Sequence, residues 1–144
     1  MIAIRPMATG DLTAARTLLH QLGYRLDLEE VRRRYNMIAE HDDHVLLVAE
    51  QDGSIIALCH VYARPALDKP PEAVVQALVV DEACRGSRVG QRMMEAAETW
   101  ARDHDFTSLT LSSHVARVEA HAFYHGLGYR QVGTSHMFRK TWSD

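Results

Sequence analysis

Between Gln76 and Asp103 the chain passes from a strongly apolar segment through a tight glycine-containing loop directly into an amphipathic helix. Residues 73–80 are almost wholly apolar, the pattern of a buried strand. The loop Arg85-Gly86-Ser87-Arg88-Val89-Gly90 follows. A helix is then expected over 89–103, with Val89, Met93, Ala97, Trp100 and Ala101 on one side and Glu98 and Arg102 as an exposed i,i+4 pair. A helix start leaves backbone N–H groups unpaired and carries partial positive charge, so an anion fits there. Gly86 and Gly90 let the backbone approach such an anion, and Arg85 and Arg88 add charge. Spacing alone leaves two readings open, an anion loop or tight helix packing. The loop has neither the Gly-Lys-Ser/Thr of a P-loop nor a full Gly-x-Gly-x-x-Gly.

The rest of the chain surrounds this unit with hairpins and helices. Ile2-Ala3-Ile4-Arg5 reads as a strand. Thr9 is placed to cap a helix carrying Leu12, Ala15, Leu19 and Leu22 on one face, with Gly23 as its stop. A second helix starts near Asp27, with Glu30 as a capping-box partner and Val31, Tyr35 and Ile38 as its stripe. Residues 45–50 and 55–62 read as strands joined by a Gln51-Asp52-Gly53-Ser54 turn, because Asp-Gly tolerates the positive φ such turns need. Asp68-Lys69-Pro70-Pro71 breaks the pattern before the 73–80 strand. A strand over 107–111, a helix over 117–126 with Gly128 just past its end, and an antiparallel pair over 129–132 and 136–141 complete the order β-α-α-β-β-β-α-β-α-β-β. This predicts one α/β domain over 1–144, with a mixed sheet and helices on both faces.

Leu78-Val79-Val80 followed by Arg-Gly-x-x-Val-Gly and an amphipathic helix resembles the acetyl-coenzyme A motif of the GNAT acetyltransferase family. Further on, Leu111-Ser112-Ser113, Arg117 to Ala120, and Phe123-Tyr124-His125-Gly126-Leu127-Gly128-Tyr129 resemble the family's Ala-x-x-Phe-Tyr-x-x-x-Gly-Tyr/Phe segment. The element order matches over the whole chain. Arg88 stands where a first Gly is common, and Arg117 where an Asn is frequent. The resemblance implies a mixed, mostly antiparallel sheet of about six to seven strands with four helices on both faces. It implies acetyl-coenzyme A as co-substrate, without a metal. The cofactor would be held by Leu78, Val79, Val80, Arg85, Gly86, Ser87, Arg88, Val89, Gly90, Gln91, Ser113, Arg117, Ala120, Phe123 and Tyr124.

An amine attacking a thioester must be neutral, its target carbonyl polarised and its leaving thiolate protonated. By the resemblance, backbone N–H groups at Val79 or Val80 face the thioester oxygen. Tyr124 takes the place of the family's acid; a phenol of pKa about 10 can protonate a thiolate of about 8.5. Glu72 is the first candidate base, with His60, Tyr62, His114 or a water chain as alternatives. Gln76, four residues after Glu72, is expected on the same strand face. The acceptor would meet Tyr24, Tyr35, Tyr62 and Gln76. A small primary amine is favoured over a protein lysine or N-terminus, and a non-catalytic acyl-coenzyme A-binding module is the reading from another class.

Charge and composition narrow the partners. A formal net charge of -3 with no long basic run argues against nucleic-acid binding. No apolar run approaches the ~20 residues of a membrane span, and Met1 to Pro6 lack a signal peptide's long apolar region. Cys59 and Cys84 fit a cytoplasmic protein with free thiols, as small buried fillers. His121 and His125 share a helix face but have no third ligand, so no metal site is expected. A homodimer through terminal strands is a further expectation of the resemblance.

Overall fold

A computed structural model describes residues 1–113 and 115–142. Among them the elements run β1 (Ile2–Pro6), α1 (Leu12–Leu22), α2 (Leu28–Ala39), β2 (His44–Gln51), β3 (Ser54–Arg64), β4 (Glu72–Val80), α3 (Val89–Asp103), β5 (Leu109–Leu111) and α4 (Val118–Gly126). The chain divides into two compact units, Met1–Ser112 and Ser113–Asp144.

The first unit carries a sheet of order β1-β2-β3-β4-β5. The first four strands are antiparallel to their neighbours, and β5 joins β4 in parallel. The β2–β3 turn forms as the Asp-Gly pair requires: Asp52 and Gly53 both have positive φ, 52° and 81°. Two bulges interrupt the ladders. Ile56 is skipped between the Ala49↔Ala57 and Glu50↔Ile55 pairs, and Gln76 is skipped between His60↔Ala77 and Val61↔Val75. Each changes which face the following side chains occupy.

α1 and α2 cover one face, where Leu12, Ala15, Leu18 and Val31 pack with Val48, Leu58 and Val79. Leu18 is fully buried, while the expected Leu19 and Leu22 flank this core half-buried. α3 packs on β3 and β4. Strand alternation turns Ala57, Cys59 and Val61 away from the α1/α2 face, and they are fully buried, as are Met93, Met94 and Ala97 of α3. Cys59 is the expected filler, and burial pushes its thiol up to about 12. No helix among the described residues is long and apolar enough to cross a membrane.

The helix ends differ in part from expectation. Gly23 stops α1 in the left-handed region, φ 112°, and Asp27 caps α2 by accepting from the Glu30 amide at 2.8 Å. Glu30, however, turns its carboxylate to Arg33 and Arg34 rather than closing the capping box. Thr9 does not cap α1; it lies in a short 3₁₀ turn, and Asp11 holds the entry instead. Asp11 accepts from the Ala8 amide at 2.8 Å and takes both oxygens to the Arg5 guanidinium, at 2.8 and 3.0 Å. The Arg5 hydrogen bonds hold its carboxyl below the usual carboxylate value. A folded-state pKa below the unfolded one gives stability that is present above pH 4 and lost as pH falls further. Asp11→Ala should therefore lower stability by about 1–2 kcal/mol at pH 7, a difference that shrinks in melts run at pH 3.

The second unit contains α4, and Gly128 follows its end with φ 93°. The expected strands over 129–132 and 136–141 are not formed: residues 129–142 carry no regular element, and Val132, Met137, Phe138 and Trp142 are exposed. The sheet thus has five strands rather than six or seven. A two-stranded ribbon is marginal without a third strand or a covering face, so apolar alternation did not suffice to form it.

Candidate functional site

The sheet forks beside β4. β5 accompanies β4 only from Ala73↔Leu109 to Val75↔Leu111, whereas β4 continues to Val80. The Asp81 amide donates to the Ile56 carbonyl at 2.8 Å. This fixes the phase of the ladder: Val79 and Ala77 exchange hydrogen bonds with Leu58 and His60, and the amides of Leu78 and Val80 face the edge that β5 has left. Of the two expected oxygen-facing amides, Val80 has the free edge, while that of Val79 is spent on β3. Below the bulge the phase reverses, since the Ala73 amide donates toward β5, to Ser108 O at 3.3 Å.

The loop after β4 is built from local devices. Asp81 accepts from the Ala83 amide at 3.0 Å, and the Glu82 amide donates to Gln21 of α1 at 3.0 Å. Gly86 and Arg88 both take the left-handed conformation, φ 86° and 67°. The Ser87 hydroxyl donates to the Cys84 carbonyl. Arg85, Gly86, Ser87 and Arg88 are exposed, while Val89 is buried and anchors the start of α3. Arg88 is the N-cap residue and makes no side-chain cap, so the amides of Val89, Gly90 and Gln91 have no acceptor within the helix. Left-handed residues interspersed in such a turn form a concavity lined by N–H groups, suited to an anion. The Gln91 side chain lies along α3 to Glu95 at 3.1 Å, leaving its amide as what it offers the loop.

In the second unit, Arg117 is the exposed N-cap residue of α4 and Ala120 is half-buried. The Tyr124 ring meets Phe123 edge-on at 5.1 Å and Tyr129 at 6.2 Å, so neighbouring aromatics fix its orientation. Ser113 Oγ is buried with no hydrogen-bond partner among the described residues.

Glu72 has three partners. Oε1 accepts from Arg64 of β3 and lies 3.8 Å from Lys69 Nζ; Oε2 accepts from Thr110 Oγ1 of β5 at 2.6 Å. The Thr110 bond first, and Arg64 after it, hold its carboxyl below the ordinary range. A carboxylate with both oxygens engaged is a weak proton acceptor, and its position reads as a clamp across three strands.

The expected acceptor residues are dispersed. Tyr24 is exposed just past α1. Tyr35 packs against the α1/α2 core, and its hydroxyl donates to Met7 O at 3.3 Å, a packing role. Gln76 is exposed at the bulge; its expected shared face with Glu72 assumed unbroken alternation, which the bulge interrupts. Tyr62 stacks on His44, with rings 5.1 Å apart and 12° from parallel. His44 in turn places Nδ1 2.9 Å from His60 Nε2. Neither His44 nor Thr110 was anticipated from the sequence. Counting from the two-residue turn pairs His44 with Val61, and only the bulge at Ile56 moves it opposite Tyr62. His114 lies outside the described residues. Among those described, no group of His, Cys, Asp and Glu is arranged to hold a metal.

Comparison with known proteins matches the acetyltransferase (GNAT) family model over residues 12–129. An uncharacterized N-acetyltransferase, YhdJ of Bacillus subtilis, is 27% identical over 124 residues, covering 85% of this chain and 86% of that protein. The type 1 aminoglycoside N(6')-acetyltransferase of Stenotrophomonas maltophilia is 26% identical over 106 residues, 71% of this chain and 69% of its own. The crystal structure of an aminoglycoside 6'-N-acetyltransferase from Acinetobacter baumannii superposes with a TM-score of 0.87 at 18% identity, over 99% of this chain and 100% of that one. With the family model matched over residues 12–129, most of the chain, the chain belongs to the acetyltransferase (GNAT) family, acyltransferases that use acetyl-coenzyme A.

Proposed function

We propose that this enzyme moves the acetyl group of acetyl-coenzyme A to the primary amine of a small molecule, by direct attack of the amine on the thioester. The observation that carries the reading is the bare β4 edge at Leu78 and Val80, which runs into the N–H-lined turn from Arg85 to Gly90. The edge suits the amide-bearing pantetheine arm, and the turn suits the pyrophosphate, with Arg85 and Arg88 as exposed cations. Ser113 Oγ, buried without a partner among the described residues, has the hydrogen-bonding capacity that a pantetheine amide would meet. Arg117, Ala120 and Phe123 of the second unit are further proposed cofactor contacts. The small-molecule preference rests on the aminoglycoside-acetylating relative.

In the proposed reaction the amine nitrogen bonds to the thioester carbon and the carbonyl oxygen becomes an oxyanion facing the Val80 amide. An amide already held in place by the ladder stabilises that charge without reorganising. Collapse breaks the carbon–sulfur bond, and Tyr124 protonates the departing thiolate. Tyr24, Tyr62 and Gln76 are the proposed acceptor contacts.

A panel of amines assayed by release of free coenzyme A thiol tests the reading. Thiol release is expected with small primary amines and not with lysine-bearing peptides. At a hundredfold excess over Kd, acetyl-coenzyme A should stabilise the fold by about 2.7 kcal/mol. Stabilisation by ATP or NAD but not by acetyl-coenzyme A overturns the assignment of the loop.

A further inference from the structure

On the acetyl-transfer reading, the amine must lose a proton, and Glu72 is poorly placed to take it because both of its oxygens are engaged. We propose that His60 and His44 form the proton exit, with His60 Nδ1 as acceptor and His44 as the relay to solvent.

Placement is the first support. His60 pairs with Ala77, the β4 residue just past the bulge and immediately before Leu78, where the bare edge begins. Cross-strand partners share a face, so His60 stands one strand in from the fork. On its other side it pairs with Leu46, two residues from His44.

The contact between the rings is the second. His44 Nδ1 and His60 Nε2 are 2.9 Å apart. At that distance one nitrogen must carry the hydrogen and the other a lone pair. With the hydrogen on His60 Nε2, the His60 Nδ1 lone pair is left free, and Nδ1 has no partner among the described residues. The His44 ring is fixed by stacking on Tyr62 at 5.1 Å, and the exposed His41 ring lies 5.5 Å away. Burial first, and the neighbouring His44 second, push His60 down to about 4. The ring is therefore unprotonated before the step, as an acceptor must be.

The proton count closes. An N–H bond of the attacked amine, now an ammonium, breaks as His60 Nδ1–H forms. His60 Nε2–H then passes to His44 Nδ1, and His44 Nε2–H is given up to water. Exchange with water restores the starting tautomers. One proton has gone from amine to solvent, one returns from solvent to the Tyr124 phenolate left by protonating the thiolate, and no electrons have moved.

The test compares His60→Ala, His44→Ala and the double variant in the thiol-release assay, each with its melting temperature and KM for acetyl-coenzyme A. His60→Ala should lower kcat about 100-fold, the low end of general-base effects, with KM for acetyl-coenzyme A unchanged. Added imidazole should restore part of that rate. His44→Ala should cost less, and the double variant should be no slower than His60→Ala, since the two act in series. Retention of kcat in folded His60→Ala overturns the relay while leaving acetyl transfer standing. So does a loss that imidazole does not rescue and that tracks a lowered melting temperature. Absence of thiol release from the unaltered protein with every amine overturns the transfer reading and the relay with it.

Discussion

Tyr124→Phe is expected to lower kcat by about 100- to 1,000-fold, the range for loss of a positioned acid, while KM for acetyl-coenzyme A changes little. The substitution removes one oxygen and keeps the ring. The edge contacts with Phe123 and Tyr129 depend on the ring alone and should survive. On the proposed mechanism, what is lost is the proton delivered to sulfur as the carbon–sulfur bond breaks. An interaction made only in the transition state lowers kcat and kcat/KM together. A thiolate is a tolerable leaving group even unprotonated, which is why the loss should stop short of complete inactivity. The discriminating measurement pairs Tyr124→Phe with acceptors of graded basicity. If protonation of sulfur limits the variant's rate, its kcat should rise more steeply with acceptor basicity than that of the unaltered enzyme, because the amine then adds reversibly before the carbon–sulfur bond breaks. Turnover equal to that of the unaltered enzyme removes Tyr124 from the chemistry.

What the sequence made legible, and what it hid, follows from the range of the interactions involved. α1, α2 and α3 were readable because their apolar periods are local, and so was the Asp52-Gly53 turn, whose positive φ is a property of two residues. The loop from Arg85 to Gly90 was readable as a tight turn into a helix, with an anion site as one of two readings, although the left-handed φ of Arg88 was not legible, since glycine is the usual occupant. The two bulges were invisible. A skipped residue at Ile56 or Gln76 is set by how strands from distant parts of the chain settle against each other. Yet the first brings His44 opposite Tyr62, and the second decides that Leu78 and Val80, not Val79, present amides to the open edge. Tyr35 misled for the converse reason: a tyrosine in an apolar stripe looks available until its hydroxyl is found on the Met7 carbonyl. The strands expected over 129–141 had the right alternation, but pairing needs a partner edge that local pattern cannot supply.

Glu72 offers the sharpest division between a role read from position and one read from contacts. As a base it should fail on conversion to Gln, with a loss of about 100-fold or more. As a clamp it should tolerate Gln, because the amide still offers an oxygen to Arg64 and a second polar atom to Thr110; kcat should stay within about 3-fold, since losing the charge of a partly exposed pair costs under ~1 kcal/mol. Glu72→Ala is different. It unlinks β3 from β5 across β4, one residue before the short Ala73–Val75 pairing that precedes the fork. It also strips Arg64 of its carboxylate. Arg64 is only partly screened, its side chain 38% exposed, so the cost should lie near about 1–2 kcal/mol rather than the larger value for a fully buried pair. The fork geometry would loosen, and KM for acetyl-coenzyme A should rise about tenfold, the equivalent of 1.4 kcal/mol. The clamp also has a pH signature. Glu72 titrates below its usual value in the fold, so its contribution is present above about pH 4.5 and fades as pH falls lower. Melts of the unaltered protein and Glu72→Gln should therefore converge toward pH 3. Glu72→Gln inactive at full stability and with unchanged KM would return the base to Glu72.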